Sequence, residues 1–239
     1  MDIIEKIKAK QKDLSNNSAI TIAFLGDSVT QGCFECYTTS ETSLETVFDY
    51  KSAFSSRVKE ILNLLYPNVQ FNIINAGISG DSAVFGKTRI ERDILAFNPD
   101  LCVVSYGLND SCSVSVEEYG KALESIFSAL KEKGAETIFL TQNCMCTKTS
   151  CHLKDDLFRN LSVDFSKIQN GGTLKKFMEE AKNVSKKFGV KVCDLYPVWE
   201  KLISFGVDVT ELLANKLNHP IREIHYYIAI KIVETILGV

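Results

Sequence analysis

Ala19-Ile20-Thr21-Ile22-Ala23-Phe24-Leu25 runs directly into Gly26-Asp27-Ser28-Val29-Thr30-Gln31-Gly32. The first seven residues are nearly continuous in apolar and β-branched character, as expected of a strand buried on both faces of a parallel sheet. The next seven break that pattern with Gly, Asp and Ser. A small hydroxyl residue at such a strand end stands where open α/β sheets present their chemistry. Alone, Gly-Asp-Ser is also ordinary turn chemistry. It acquires meaning from three later segments: Asn75-Ala76-Gly77-Ile78-Ser79-Gly80-Asp81, Gly107-Leu108-Asn109-Asp110 and Asn218-His219-Pro220.

Four more runs resemble the first: Phe71 to Asn75, Leu101 to Tyr106, Thr137 to Thr141 and Val190 to Leu195. Between and after them lie helix-period segments at Ser52 to Leu65, Arg89 to Phe97, Val116 to Lys133, Leu174 to Phe188 and Ile221 to Leu237. Strands alternating with helices predict an α/β fold, a five-stranded parallel sheet with helices on both faces and right-handed crossovers. The length suits a single domain over 1–239, with 1–17 as an N-terminal helical segment. Two stretches, 33–50 and 144–172, read as long loops leaving the carboxyl ends of strands, where lids and pocket walls are found.

Lys+Arg 27 against Asp+Glu 30 gives a net charge of −3, and the basic stripe of a nucleic-acid binder is missing. The first ten residues are charged and amphipathic, without the apolar core of a signal peptide, and no run is long enough to cross a bilayer; the expectation is a cytoplasmic protein without a membrane span. Eight cysteines then read as reduced thiols. Cys33 and Cys36 form a CxxC, and Cys144, Cys146, Cys151 and His152 form a second cluster, but neither has the paired spacing of a zinc site. No metal and no cofactor are expected.

The four segments together supply the parts of a nucleophilic site. Ser28 is the candidate nucleophile, which needs a base to take its proton. Gly80, rather than Gly77, is a candidate backbone donor to an oxyanion, since glycine lets an N–H approach a ligand. The Asn109 carboxamide is a further donor. His219, before Pro220 and ahead of the last helix, is the candidate base; His225 looks helical and structural, and His152 falls in the 144–172 stretch.

These blocks resemble those of the SGNH hydrolases, the GDSL-type lipases and esterases: Ser28 in Gly26-Asp27-Ser28, Gly80, Asn109 in Gly107-Leu108-Asn109-Asp110, and His219 in His219-Pro220. The resemblance spans most of the chain. It implies a flavodoxin-like three-layer α/β/α sandwich and hydrolysis of a carboxylic ester through an acyl-serine. The expected partner is a small-molecule ester, with short acyl groups, including acetylated sugars, preferred over long lipids. One position departs from the family: an Asp usually precedes the histidine by three residues, and here Lys216 stands there. Lysine cannot accept a hydrogen bond from imidazole. Asn215, Asp194 or a backbone carbonyl are the alternatives for orienting His219.

Nucleotide-binding proteins and α/β-hydrolases are disfavoured, because GxxxxGK[ST], GxGxxG after the first strand and GxSxG do not occur. The rival reading is a weak or inactive SGNH module that binds a ligand or glycan, suggested by the missing Asp; a cysteine-based zinc or redox protein ranks behind it.

Overall fold

The structure is a computed structural model that describes residues 2–40 and 43–239; Met1 of the N-terminal segment and residues 41–42 of the 33–50 stretch lie outside the described residues. In chain order the elements are α1 (Ile3–Lys12), β1 (Ile20–Gly26), α2 (Ser28–Gln31), β2 (Cys33–Ser40), β3 (Ser43–Phe48), α3 (Phe54–Leu65), β4 (Phe71–Gly77), α4 (Ala83–Asp93), β5 (Leu101–Ser105), α5 (Asp110–Ser113), α6 (Val116–Glu132), β6 (Glu136–Leu140), α7 (Asp156–Asn170), α8 (Thr173–Phe188), β7 (Lys191–Cys193), α9 (Tyr196–Ser204) and α10 (Arg222–Leu237).

The main sheet has five parallel strands in the order β4-β1-β5-β6-β7. Counting only its own strands, that is 2-1-3-4-5, the flavodoxin-like order. Helices α3 and α10 pack together, and α4, α6 and α8 pack together, giving the expected three layers. The apolar character of β1, β5 and β6 is explained by burial: their Phe24, Leu25, Val103, Val104, Ile138 and Phe139 lie between the helical layers, in one continuous core. Helix α6 begins with a capping box, in which the Ser115 side chain takes the Glu118 N–H and Glu118 returns to Ser115.

The strand order reverses at β1, so the carboxyl ends of β4, β1 and β5 form the crevice where such sheets bind ligands. The register aligns them: Gly26 lies beside Gly77 on one side and Ser105 on the other. Ser28 follows two residues after Gly26, Gly80 three after Gly77 and Asn109 four after Ser105. Three of the sequence blocks therefore leave the sheet side by side.

Two expected loops are structured. Within the 33–50 stretch, Cys33–Ser40 and Ser43–Phe48 pair as an antiparallel hairpin, β2–β3, separate from the main sheet. Much of β3 is exposed, so no buried face imposes the alternation that announces a strand. The second half of 144–172 is helix α7, capped by Asp155, whose side chain accepts from the Leu157 N–H. Helix α9 has no counterpart in the expected pattern: Pro197 falls in its first turn, where proline is tolerated.

Candidate active site

Each element end contributes one part. Asp27 caps α2, its Oδ1 accepting from the Val29 N–H at 3.0 Å, and Ser28 is the first residue of that turn. The N–H groups of a first turn have no intrahelical acceptor. Asp27 Oδ2 accepts from Gln142 Nε2 at 3.0 Å, which ties this turn to the end of β6. Asn75 closes the other side: its Nδ2 donates to the Thr30 carbonyl at 2.9 Å.

Gly80 sits on the turn after β4 with φ +79, in the left-handed region, and a Cβ there would meet open space. The backbone N–H of Gly80 has no protein acceptor among the described residues. The adjacent Asp81 carbonyl accepts from Asn109 Nδ2 at 2.8 Å. A carboxamide has two N–H groups. One holds the turn that carries Gly80, and the other has no protein acceptor among the described residues. Asp81 is itself fixed from behind, where its carboxylate accepts from Arg89 Nε at 2.8 Å and from the Tyr106 hydroxyl at 2.9 Å. Arg89 also donates to the Ala76 carbonyl at 2.7 Å and the Gly26 carbonyl at 3.1 Å, joining the ends of β4 and β1. The sequence carried no signal that Arg89 and Tyr106 meet beneath this turn.

His219 comes from the far end of the chain. Its loop is shaped by Asn215, whose Oδ1 accepts from the N–H groups of Leu217, Asn218 and His219 at 3.0, 2.9 and 2.9 Å. Asn143 Nδ2 donates to the Asn218 carbonyl at 2.8 Å, docking the loop onto the end of β6. The ring lies between Ser28 and the hairpin, with Nε2 2.9 Å from Ser28 Oγ and Nδ1 3.0 Å from the Phe34 carbonyl oxygen. A carbonyl can only accept, so the proton is assigned to Nδ1 and the Nε2 lone pair faces the serine hydroxyl. Ser28 is 3% and His219 5% exposed. Burial pushes the imidazole pKa down to about 4, against the raising effect of the Phe34 carbonyl. The ring is therefore neutral near pH 7, as a proton acceptor must be.

The alternatives for orienting His219 now have positions. Asp194 accepts from Thr141 Oγ1 at 3.1 Å and pairs with Lys182 at 3.1 Å, and makes no contact with the ring. Asn215 holds the backbone of the histidine loop rather than the imidazole; its Nδ2 donates to Asn218 Oδ1 at 3.0 Å. Lys216 adopts φ +59 and its ammonium pairs with Glu211 at 2.9 Å. At Nδ1 stands the Phe34 carbonyl, with Cys36 Sγ at 3.9 Å beside it. Residue types could not announce this, because every residue carries a carbonyl.

His225 is fully buried; its Nδ1 accepts from the Phe54 N–H at 3.2 Å and its ring lies against Phe34. All eight cysteines are free thiols, and among the described residues no group of three His, Cys, Asp or Glu is arranged to hold a metal ion. Among the described residues no helix is long and apolar enough to cross a membrane.

A GDSL-like lipase/acylhydrolase family model matches residues 24–225. An acetylxylan esterase from Geobacillus stearothermophilus is 30% identical over 89 residues, which are 37% of this chain and 39% of that protein. The matched stretch is thus well under half the length of that relative. Among solved structures, Axe2, an acetylxylan esterase from Geobacillus stearothermophilus, superposes with a TM-score of 0.66 at 19% identity, over 92% of this chain and 94% of that one. A lipase/acylhydrolase from Enterococcus faecalis does so with a TM-score of 0.66 at 20% identity, over 92% and 96%. At these identities the superpositions speak for the fold.

Proposed function

Because the chain belongs to the GDSL-like lipase/acylhydrolase family, we propose that it is a serine esterase that cleaves a carboxylic ester with Ser28 as nucleophile and His219 as base. The observation that carries this reading is the contact of 2.9 Å between Ser28 Oγ and His219 Nε2, with the opposite ring nitrogen held by the Phe34 carbonyl. In the first half-reaction Ser28 Oγ attacks the ester carbonyl carbon as its proton passes to Nε2. The carbonyl oxygen becomes an oxyanion, received by the backbone N–H groups of Ser28 and Gly80 and the free N–H of Asn109 Nδ2. Each such donor is typically worth about 2.7–4 kcal/mol in the transition state. Collapse breaks the C–O bond to the alcohol, which leaves with the proton from Nε2. Water then repeats the sequence on the acyl-serine, releasing the acid and restoring Ser28.

In this reading the Phe34 carbonyl takes the place of the family's carboxylate. It fixes tautomer and ring orientation, and it stabilises the transient imidazolium as a dipole rather than a full charge. The rival reading, an inactive ligand- or glycan-binding module, rests on Lys216 at the usual Asp position. The acceptor present at Nδ1 weighs against it. A short acyl group, such as the acetate of an acetylated carbohydrate, is the preferred substrate class, supported by the partial match to an acetylxylan esterase. Treatment with a fluorophosphonate followed by mass spectrometry tests the nucleophile. An adduct on Ser28, lost in Ser28→Ala together with turnover of p-nitrophenyl acetate, is expected. Undiminished turnover in a folded Ser28→Ala variant overturns the assignment.

A further inference from the structure

The acceptor at His219 Nδ1 is a main-chain atom of β2, in a hairpin that stands apart from the main sheet. A two-stranded hairpin is at best marginally stable by itself. Something else must therefore hold the Phe34 carbonyl within bonding distance. Arg222, three residues after His219 in the first turn of α10, is built to do so. Its guanidinium forks onto Glu35, with contacts of 2.6 and 3.0 Å, and its Nε donates to Asp49 at 2.9 Å. Glu35 lies in β2 and Asp49 directly follows β3, so one side chain grips both feet of the hairpin. The Asp49 N–H also donates to the Gly32 carbonyl at 2.9 Å, closing the base of the hairpin. The guanidinium carbon lies 4.3 Å from the centroid of the Phe34 ring, whose centroid is 4.7 Å from that of His225.

We propose that Arg222 is a positioning residue for the reaction: it locks the hairpin so that the Phe34 carbonyl holds His219 toward Ser28. The inference rests on His219 being the base. The balance of magnitudes separates this role from a purely structural one. Partly exposed ion pairs contribute about 0–1 kcal/mol to stability, whereas a 1 Å misplacement of a catalytic group costs about 10²-fold in rate. The fork, moreover, is geometry that only arginine offers. Loss of the clamp should therefore be felt in turnover more than in stability.

The test compares Arg222→Met and Glu35→Gln with the parent, measuring kcat and KM on p-nitrophenyl acetate, the rate of fluorophosphonate labelling, and Tm. Arg222→Met should lower kcat on the order of 10–100-fold, with KM within about twofold and labelling slowed in parallel. Glu35→Gln should move kcat and labelling the same way by a smaller factor. Parental kcat and labelling in both folded variants, or a loss confined to KM, overturns the proposal. If Arg222→Met fails to fold, Glu35→Gln decides alone. Ser28→Ala, assayed alongside, separates the two readings: turnover surviving there removes the serine mechanism itself, whereas its loss there with parental kcat in the clamp variants removes only the role of Arg222.

Discussion

His219 is bonded at both ring nitrogens and screened from water, and burial pushes its pKa down to about 4. The free-enzyme profile of kcat/KM reports the base. Only the neutral ring accepts the serine proton, so activity should be lost as pH falls through about 4, not through the value of about 6.5 for a hydrated histidine. Nearly full kcat/KM at pH 5.5 is expected, measured where the fold is intact; an acid limb centred at 6.5 would show that the buried ring is not the base. Cys36 offers a second measurement on the same atom. Its Sγ is 3.9 Å from Nδ1, 3.6 Å from Asn215 Nδ2 and 3.7 Å from Thr46 Oγ1. Cys36→Asp would set a carboxylate among those groups, and an opposite charge favours the imidazolium. The acid limb should then rise by about one unit or more, with kcat kept or increased; an unmoved limb in the folded variant would mean that this corner does not communicate with the base. Ser28, Asn109 and His219 were legible in the sequence because their side chains carry chemistry that few residue types offer. A backbone carbonyl was among the alternatives for orienting His219, but that it is the one of Phe34 was not legible, since this contact comes from where the hairpin crosses the ring.

Elements differ in legibility for the same physical reason. Strands β1, β5 and β6 are buried on both faces and show themselves as apolar runs. Strand β4 lies at the edge of the sheet, and its polar Asn72 and Asn75 shorten the run that could be read. Beyond its base, where Cys33 and Phe34 are buried, the β2–β3 hairpin is largely exposed, so little in its composition had to alternate. What the sequence did show at β4 was Gly77, although its reason is packing rather than a hydrogen bond to a ligand. A Cβ at Gly77 would come within 2.2 Å of the Gln31 backbone nitrogen and 2.7 Å of the Thr30 carbonyl carbon. Those atoms are backbone of α2, the turn that begins with Ser28, and cannot rotate away. Gly77→Ala should cost about 1–3 kcal/mol in stability and also lower kcat, because α2 must move. Gly80→Ala is the contrast: the space is open, and the cost is the strain of a positive φ, about 1–2 kcal/mol. Urea midpoints and kcat for the two variants check this. Parental kcat in a folded Gly77→Ala would show that α2 and the strand end are not coupled.

On the scale of the whole molecule, the carboxyl end of the sheet is where stability is given up. Asp27, Asp81 and Asp110 are all buried there. Asp81 is compensated by Arg89 and Tyr106, whereas Asp27 and Asp110 make no ion pair among the described residues. Burial, with the neighbouring acids adding to it, drives both of these carboxyls up to about 7. Such a cluster is invisible in composition, because a net charge of −3 says nothing about which charges are dry. It does make stability depend on pH in a direction that can be worked out. An unfolded Asp titrates near 3.8, so between about 4 and about 7 the folded protein holds a proton on Asp110 that the unfolded chain has released. The stability this contributes is complete below the lower value and is lost as pH rises through the upper one, at about 1.4 kcal/mol per pH unit. Asp110→Asn removes the titration but keeps an oxygen for the Ala83 N–H, which Asp110 Oδ1 accepts at 2.9 Å. The amide group at the other position, where Oδ2 is buried without a partner among the described residues, adds a cost independent of pH. The slope of the difference is therefore the readout, not its offset. Buried His219 and His225, held down to about 4 and about 3, pull stability the opposite way on acidification, but both are present in parent and variant and cancel in the comparison. Urea unfolding at pH 5, 6, 7 and 8 should show the stability of Asp110→Asn relative to the parent rising from pH 5 to about pH 7 and levelling beyond it. A difference that stays flat or falls across that range would mean that Asp110 is ionised in the folded protein, and that a cation or donor at the carboxyl end of the sheet compensates it as Arg89 compensates Asp81.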